Sequence, residues 1–443
     1  MAIKVGLVSL GCSKNLVDSE RMLYKLRKKG YQLVTEPGLA DIAVVNTCGF
    51  IQSAKEEAIE TILELGKLKE DGTLKKIVIT GCLTERYREE AAELFPEADA
   101  VIGIGNNKDI TDVLDHVLAD EKYINFAPKL DAELTGDRII STLPFFSYLK
   151  IAEGCSNCCT YCAIPMIRGK FRSVPMEDVI KEAETLASNG VTELVVIAQD
   201  TSRYGEDIYG QSRLPELLRR LCRIDGLKWI RTLYCYPERI TDELLDTIAS
   251  EEKLVKYLEI PIQHCDGDIL SRMNRWGSEE NLEALFAHIR EKIPGVILRT
   301  TLITGFPGET QEQSDRLAEF VQRVRFDRLG CFPYSQEDGT KAADFPDQIE
   351  SETAAHRADI IMEQQMLISA ENNEKLMNTE HEAVVEGFDR FGECWFGRTA
   401  NDAPDIDGKV FFTSEKPLKI GDYVKIRITD TLDYDLIGEV IEL

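Results

Sequence analysis

Four cysteines lie within the run Gly154-Cys155-Ser156-Asn157-Cys158-Cys159-Thr160-Tyr161-Cys162. The spacing Cys155-x3-Cys159-x2-Cys162 puts three thiols on one short loop. Three thiolates hold three irons of a cubane iron–sulfur cluster and leave the fourth iron open, whereas electron-transfer clusters of the ferredoxin type are closed by four cysteines. An open iron can bind a substrate or a cofactor. A structural zinc loop would need a further ligand pair at finger-like spacing, and none follows. Cys155, Cys158 and Cys162 form a second possible grouping. Reading Cys159 as the ligand leaves Cys158 as a spare thiol beside the cluster.

Three more cysteines share a topological position. They close the runs Val8-Ser9-Leu10-Gly11-Cys12, Val44-Val45-Asn46-Thr47-Cys48 and Val78-Ile79-Thr80-Gly81-Cys82, each one or two residues past a strand-like stretch. The ends of parallel strands open on one edge of a sheet, where open α/β folds bind ligands. Cys12, Cys48 and Cys82 are therefore expected to converge although they are far apart in the chain. A single buried cysteine is an ordinary packing residue, but three at matching positions point to a second three-thiolate centre. Cys222, Cys235, Cys265, Cys331 and Cys394 have no partner spacing and read as packing residues.

Weaker signals follow. In Thr304-Gly305-Phe306-Pro307-Gly308-Glu309-Thr310 the glycines would let backbone amides approach a nucleoside-type cofactor; a plain strand-to-helix turn explains the same residues. Gln199-Asp200-Thr201 is similarly placed. The basic string Arg168, Lys170, Arg172 would grip a carboxylate or phosphate, or line a solvated face. His264 is a proton carrier or a packed histidine.

The elements that must position these residues fall into three groups. Residues 1–124 alternate short β-branched runs with helical patterns, which predicts a doubly wound parallel α/β sheet. A linker spans 125–144. Residues 145–375 give six strand–helix units, hence a partial or complete parallel (β/α) barrel, and its strand ends are where such a fold carries its chemistry. Residues 376–443 read as five short strands without helices, a small antiparallel β-barrel of OB-like type.

Composition bounds the possibilities. A chain of 443 residues with 43% hydrophobic and 29% charged residues is an ordinary soluble composition divided over several domains. Its apolar runs are strand-sized, far short of a membrane span. The N-terminus enters a strand-like run without signal-peptide organisation, so a cytoplasmic location is expected. There thiols stay reduced, and twelve cysteines favour metal ligation over disulfides. A net charge of −26 disfavours a phosphate backbone as main ligand and favours a basic protein partner. The terminal barrel shares that bias, carrying far more carboxylates than lysines and arginines.

The Cys155-x3-Cys159-x2-Cys162 loop, with Tyr161 before its last cysteine, resembles the radical S-adenosylmethionine signature. Taken with Cys12, Cys48, Cys82 and the terminal barrel, the whole chain resembles the methylthiotransferases, which join an N-terminal cluster domain, a radical barrel and a TRAM domain. The runs from Leu10 to Glu20 and from Ala163 to Ser173 are similar to the RimO branch; the cysteine at 158 departs from the family's usual pattern. The resemblance implies two 4Fe-4S clusters. The one on Cys155, Cys159 and Cys162 would bind S-adenosylmethionine, with Tyr161, Gln199, Gly305 and Gly308 as cofactor contacts. The one on Cys12, Cys48 and Cys82 would hold the incoming sulfur. One-electron cleavage of the cofactor would generate a radical able to take hydrogen from the β-carbon of an aspartate in ribosomal protein S-twelve, and a second S-adenosylmethionine would supply the methyl group. No catalytic side chain beyond the cluster ligands is implied, and an external electron donor is. Two alternatives stay open: a tRNA adenosine methylthiotransferase, and a non-catalytic iron–sulfur redox sensor.

Overall fold

The computed structural model describes residues 2–442. Six parallel strands form the N-terminal sheet in the order Gln32–Val34, Lys4–Ser9, Ile42–Thr47, Lys76–Gly81, Ala100–Ile102, Tyr123–Asn125. The central strand Ile42–Thr47 is buried along its whole length, as a strand covered on both faces must be. Two separate apolar clusters, one on each face, account for that burial. The sheet holds two short edge strands, Gln32–Val34 and Tyr123–Asn125, that three-residue runs were too brief to announce. The segment after it is tied down: the Glu20 carboxylate accepts from Ser141 N and Arg138.

The second sheet is open and all parallel, with strands in chain order: Phe146–Lys150, Glu193–Ile197, Trp229–Thr232, Leu254–Glu259, Ile297–Thr304 and Arg328–Pro333. It is thus a partial barrel of six strands. Along each strand, alternate residues face opposite sides. Leu149, Leu194, Val196, Ile230, Leu258 and Leu298 pack against the surrounding helices. Phe146, Tyr148, Val195, Ile197, Trp229 and Tyr257 form a different cluster, together with Val17 of the N-terminal domain and Val384 and Ala403 of the C-terminal barrel. The concave face is therefore closed by its neighbours rather than by two further strands.

Five strands, Glu380–Asp389, Cys394–Thr399, Val410–Thr413, Tyr423–Thr431 and Leu436–Glu442, close into the C-terminal barrel. The expected all-antiparallel pairing holds for every neighbour except one: Val410–Thr413 runs parallel to Leu436–Glu442. An odd number of strands closed into a ring cannot alternate direction throughout, so one parallel pair is unavoidable.

This barrel is joined to the concave face by buried ion pairs. Arg398 contacts Glu193 at 2.6 Å and Glu386 at 2.6 Å. Arg299 meets Asp407 at 2.6 Å, and Arg328 meets Asp402 at 2.6 Å. Tyr257 donates to the same Asp407 at 2.7 Å. Burial pushes the Glu193 carboxyl up, but Arg398 and Arg231 outweigh it and hold the group below its usual range.

Candidate active site

The three N-terminal cysteines sit where strand ends hand over to helices. Gly11 has φ 85°, and a Cβ there would lie 2.7 Å from Cys48 Cβ; Gly81 has φ 107°, and a Cβ there would lie 2.4 Å from the Thr47 carbonyl. Only glycine lets these loops approach so closely. Asn15 stitches them further, its amide donating to Leu10 O at 2.8 Å and Asn46 O at 3.2 Å. Cys12 immediately precedes the helix Ser13–Lys29 and Cys82 opens the helix Cys82–Leu94.

The second loop is anchored on every side. Cys155 N donates to Gly169 O at 3.1 Å, and Thr160 N to Met273 O at 3.0 Å. Asn157 donates to Asp200 at 2.8 Å, while Asn274 donates to Asn157 O at 2.9 Å and Cys158 O at 3.1 Å. Cys155 and Cys159 are buried, and Cys162 is partly so. Cys159 Sγ lies 3.7 Å from the Tyr236 hydroxyl and 3.9 Å from Arg275 Nη1. Cys158 is exposed and left-handed, φ 53°, with its sulfur turned to Ser156 O. Its thiol thus leaves the buried group. Replacing Cys158 by serine is expected to leave iron content unchanged, read by iron analysis of anaerobically reconstituted protein; a fall to the level of a Cys159 variant would reverse the register.

The two cysteine sets meet across the helix Ile164–Arg168, which follows Cys162. Ala163 and Ile167 pack on Cys82. Arg168, 2% exposed, reaches Asp18 at 2.5 Å, Glu153 at 3.2 Å, Asn15 Oδ1 at 2.9 Å and Cys82 Sγ at 3.4 Å. Lys150 completes the network, paired with Asp18 and, at 2.8 Å, with Glu153. Lys14 lies 3.0 Å from the centre of the Tyr234 ring; burial lowers its pKa to about 8, against the opposing pull of Cys12, Glu259 and Glu153.

Burial raises the Cys82 thiol to about 12 and Cys155 to about 11, and each is also pushed up by its own set: Cys82 by Cys12 and Cys48, Cys155 by Cys159. Cys162 is raised by burial, then by Cys159 and Cys155. The thiols within each trio thus act on one another, and a bound cation charge would bring the raised thiols of Cys82, Cys155 and Cys162 down toward thiolate. Among the described residues no three Cys, His, Asp or Glu side chains close around a single-ion position. The donor chemistry fits a cluster.

The other sequence candidates divide. Gln199 donates to Glu153 at 3.0 Å, and its Oε1 is buried without a partner, a free acceptor for a ligand donor. Tyr161 packs against Phe306, Met273 and Ile269; burial, then Cys159, drives its hydroxyl pKa up. At Gly305 and Gly308 the space a side chain would need is already filled. A Cβ at Gly305 would lie 2.2 Å from Ala354 Cβ, and one at Gly308 would lie 2.0 Å from Arg272 Nη1. These glycines admit the helix Ser351–Glu374 and the Arg272 side chain, as a plain turn would. His264 is wholly buried and accepts from Asp266 N at 2.9 Å, a packed histidine. Arg172 donates to Leu130 O at 2.5 Å, Lys170 is exposed, and Arg168 bridges domains, so the basic string does not act as one clamp. Lys14, Asp18, Glu153 and Arg275 escaped sequence reasoning, because isolated charges carry no spacing signal. Only the three-dimensional approach of their loops exposes them.

A parallel α/β cysteine domain, a six-stranded partial barrel with a three-cysteine loop and a small closed β-barrel together define a radical S-adenosylmethionine enzyme. Family models agree by segment: "Uncharacterized protein family UPF0004" over residues 4–103, "Radical SAM superfamily" over 149–321 and "TRAM domain" over 379–441. The chain is 48% identical to "Ribosomal protein uS12 methylthiotransferase RimO" of Lachnoclostridium phytofermentans over 438 residues, 98% of this chain and 99% of that one. It is 46% identical to the protein of the same name from Geobacter sulfurreducens over 441 residues, 99% and 98% of the two chains. Among solved structures, the radical S-adenosylmethionine methyltransferase TsrM of Kitasatospora setae superposes with a TM-score of 0.57 at 14% identity, covering 87% of this chain and 78% of that one, a likeness of fold. The chain belongs to the RimO family of methylthiotransferases, enzymes with S-adenosylmethionine and iron–sulfur clusters as cofactors.

Proposed function

We propose that this enzyme methylthiolates the β-carbon of an aspartate in ribosomal protein uS12, with one 4Fe-4S cluster on Cys155, Cys159 and Cys162 and a second on Cys12, Cys48 and Cys82. The observation that carries this reading is the meeting of the two cysteine sets across Ile164–Arg168, where Cys82 packs on Ala163 and Ile167. One centre alone would need only one set. When bound, the clusters and S-adenosylmethionine supply the one-electron chemistry, the sulfur and the methyl group.

The chain's own part is positioning and exclusion of water. Asn157, Thr160 and Cys155 fasten the radical loop, and Gln199 offers a buried acceptor beside Glu153. Tyr161 walls the loop with an apolar cluster. An external electron donor and a cytoplasmic site of action complete the proposal. No described helix is long and apolar enough to cross a membrane.

A basic ribosomal protein suits the outer surface. Asp402, Asp407 and Glu386 of the terminal barrel are turned inward onto Arg328, Arg299 and Arg398, so part of that barrel's acidity is structural. Its remaining carboxylates still outnumber its cations. Intact-mass analysis of uS12 from a deletion strain should lack the methylthio mass gain found in the parent strain. Retention of that gain, with loss of a methylthio group from tRNA, would favour the nucleic-acid reading instead.

A further inference from the structure

A cation from the central domain reaches an N-terminal cysteine. Arg168 Nη2 lies 3.4 Å from Cys82 Sγ, within the range of a nitrogen–sulfur hydrogen bond. Its side chain is 3% exposed, so water does not screen it. The same guanidinium is fixed at three further points, Asn15 Oδ1, Asp18 and Glu153. It is also covalently close to the radical loop, six residues after Cys162.

A cluster's reduction potential depends on hydrogen bonds to its sulfurs, on nearby charge and on solvent exposure. All three act here. The guanidinium donates to a ligand sulfur, carries a positive charge, and seals the contact from water. Reduction adds negative charge to the cluster, and a desolvated cation at this distance stabilises the reduced state more than the oxidised one. Asp18 opposes it, placing a carboxylate within the same network.

We propose that Arg168 is a positioning residue that raises the reduction potential of the centre on Cys12, Cys48 and Cys82, and that it does so from the loop carrying the other centre. This rests on the two-cluster reading above. A fork of two amino groups is required, because Nη1 serves Asp18 and Glu153 while Nη2 serves Asn15 and Cys82. Lysine offers one point charge and cannot make both sets.

The test is a potentiometric titration followed by electron paramagnetic resonance. It uses full-length, anaerobically reconstituted protein in which Cys155, Cys159 and Cys162 are alanine, so that only the N-terminal centre reports. Arg168→Gln is expected to keep about four irons per chain and move the potential to more negative values. Arg168→Lys should give a smaller shift of the same sign. Asp18→Asn, which removes a negative charge without touching Cys82, should move it the opposite way. An unchanged potential in Arg168→Gln overturns the proposal. So does a shift of the same sign in Arg168→Gln and Asp18→Asn, which is the mark of loosened packing, and so does loss of iron from both Arg168 variants. If the alanine background itself binds no cluster while Arg168 is intact, the two-cluster reading fails, and the inference falls with it.

Discussion

Changing Cys12, Cys48 and Cys82 together to alanine is expected to abolish methylthio transfer while leaving reductive cleavage of S-adenosylmethionine intact. The variant should bind about half the iron of the parent chain and still release 5′-deoxyadenosine when reduced with dithionite. The separation follows from placement. The radical loop takes its anchors from Asp200, Met273, Asn274 and Gly169, all in the central domain. None of them is an N-terminal cysteine. The fold should tolerate the change, since Cys12 is exposed and removing each of the two buried sulfurs, Cys48 and Cys82, costs roughly 1 kcal/mol, well below a typical large core truncation. The complementary variant, with Cys155, Cys159 and Cys162 changed, should yield no 5′-deoxyadenosine at all. If the N-terminal variant lost cleavage while binding no less iron, the assignment of two centres would be wrong.

The second large effect concerns the terminal barrel. Glu193→Ala should destabilise the protein by about 3–5 kcal/mol, the usual consequence of leaving a buried partner charge uncompensated. Glu193 is fully buried, sits 2.6 Å from Arg398 Nη2 and 3.4 Å from Arg231 Nε, and both guanidinia are themselves buried. Without it, Arg231 loses its carboxylate partner in a dry interior, and Arg398 keeps only Glu386. Deleting residues 376–443 should be worse, because Arg299 and Arg328 would lose Asp407 and Asp402 as well. It would also bare the aromatic face of Phe146, Tyr148 and Trp229 now covered by Val384 and Ala403. Thermal and urea unfolding of Glu193→Ala would read the first effect. A change below about 1 kcal/mol, the size of an exposed pair, would show that these ions are solvated in solution.

These interior pairs also alter how the charge of the terminal domain is to be read. Counted along the chain, its acidity looks like a single surface property suited to a basic partner. In the fold, Asp402, Asp407 and Glu386 lie against buried arginines and are not part of the outward-facing charge. Charge counts cannot tell the two populations apart, because the pairing partners of Asp402 and Asp407 lie seventy or more residues away.

Cysteine spacing marked one candidate centre in the sequence, and cysteine position at strand ends marked the other. Cys155, Cys159 and Cys162 are local, so their grouping needs no fold. Cys12, Cys48 and Cys82 were legible because strand ends of a parallel sheet share one edge, a rule of backbone geometry that periodicity already exposes. The three-part architecture was legible for the same reason, since alternating helices and strands differ from short strands alone. The sequence favours Cys159 over Cys158 by spacing; the tertiary structure adds the left-handed turn that exposes Cys158 and the packing of Cys159 near Tyr236 and Arg275. That Gly305 and Gly308 must be small because Ala354 and Arg272 approach them was not legible, since both neighbours are remote in sequence. The seam between the centres, with Arg168 spanning Asn15, Asp18, Cys82 and Glu153, belongs wholly to the tertiary structure. Ligand types and their spacing follow from covalent order, but the charge and dryness around them arise only when distant segments pack together.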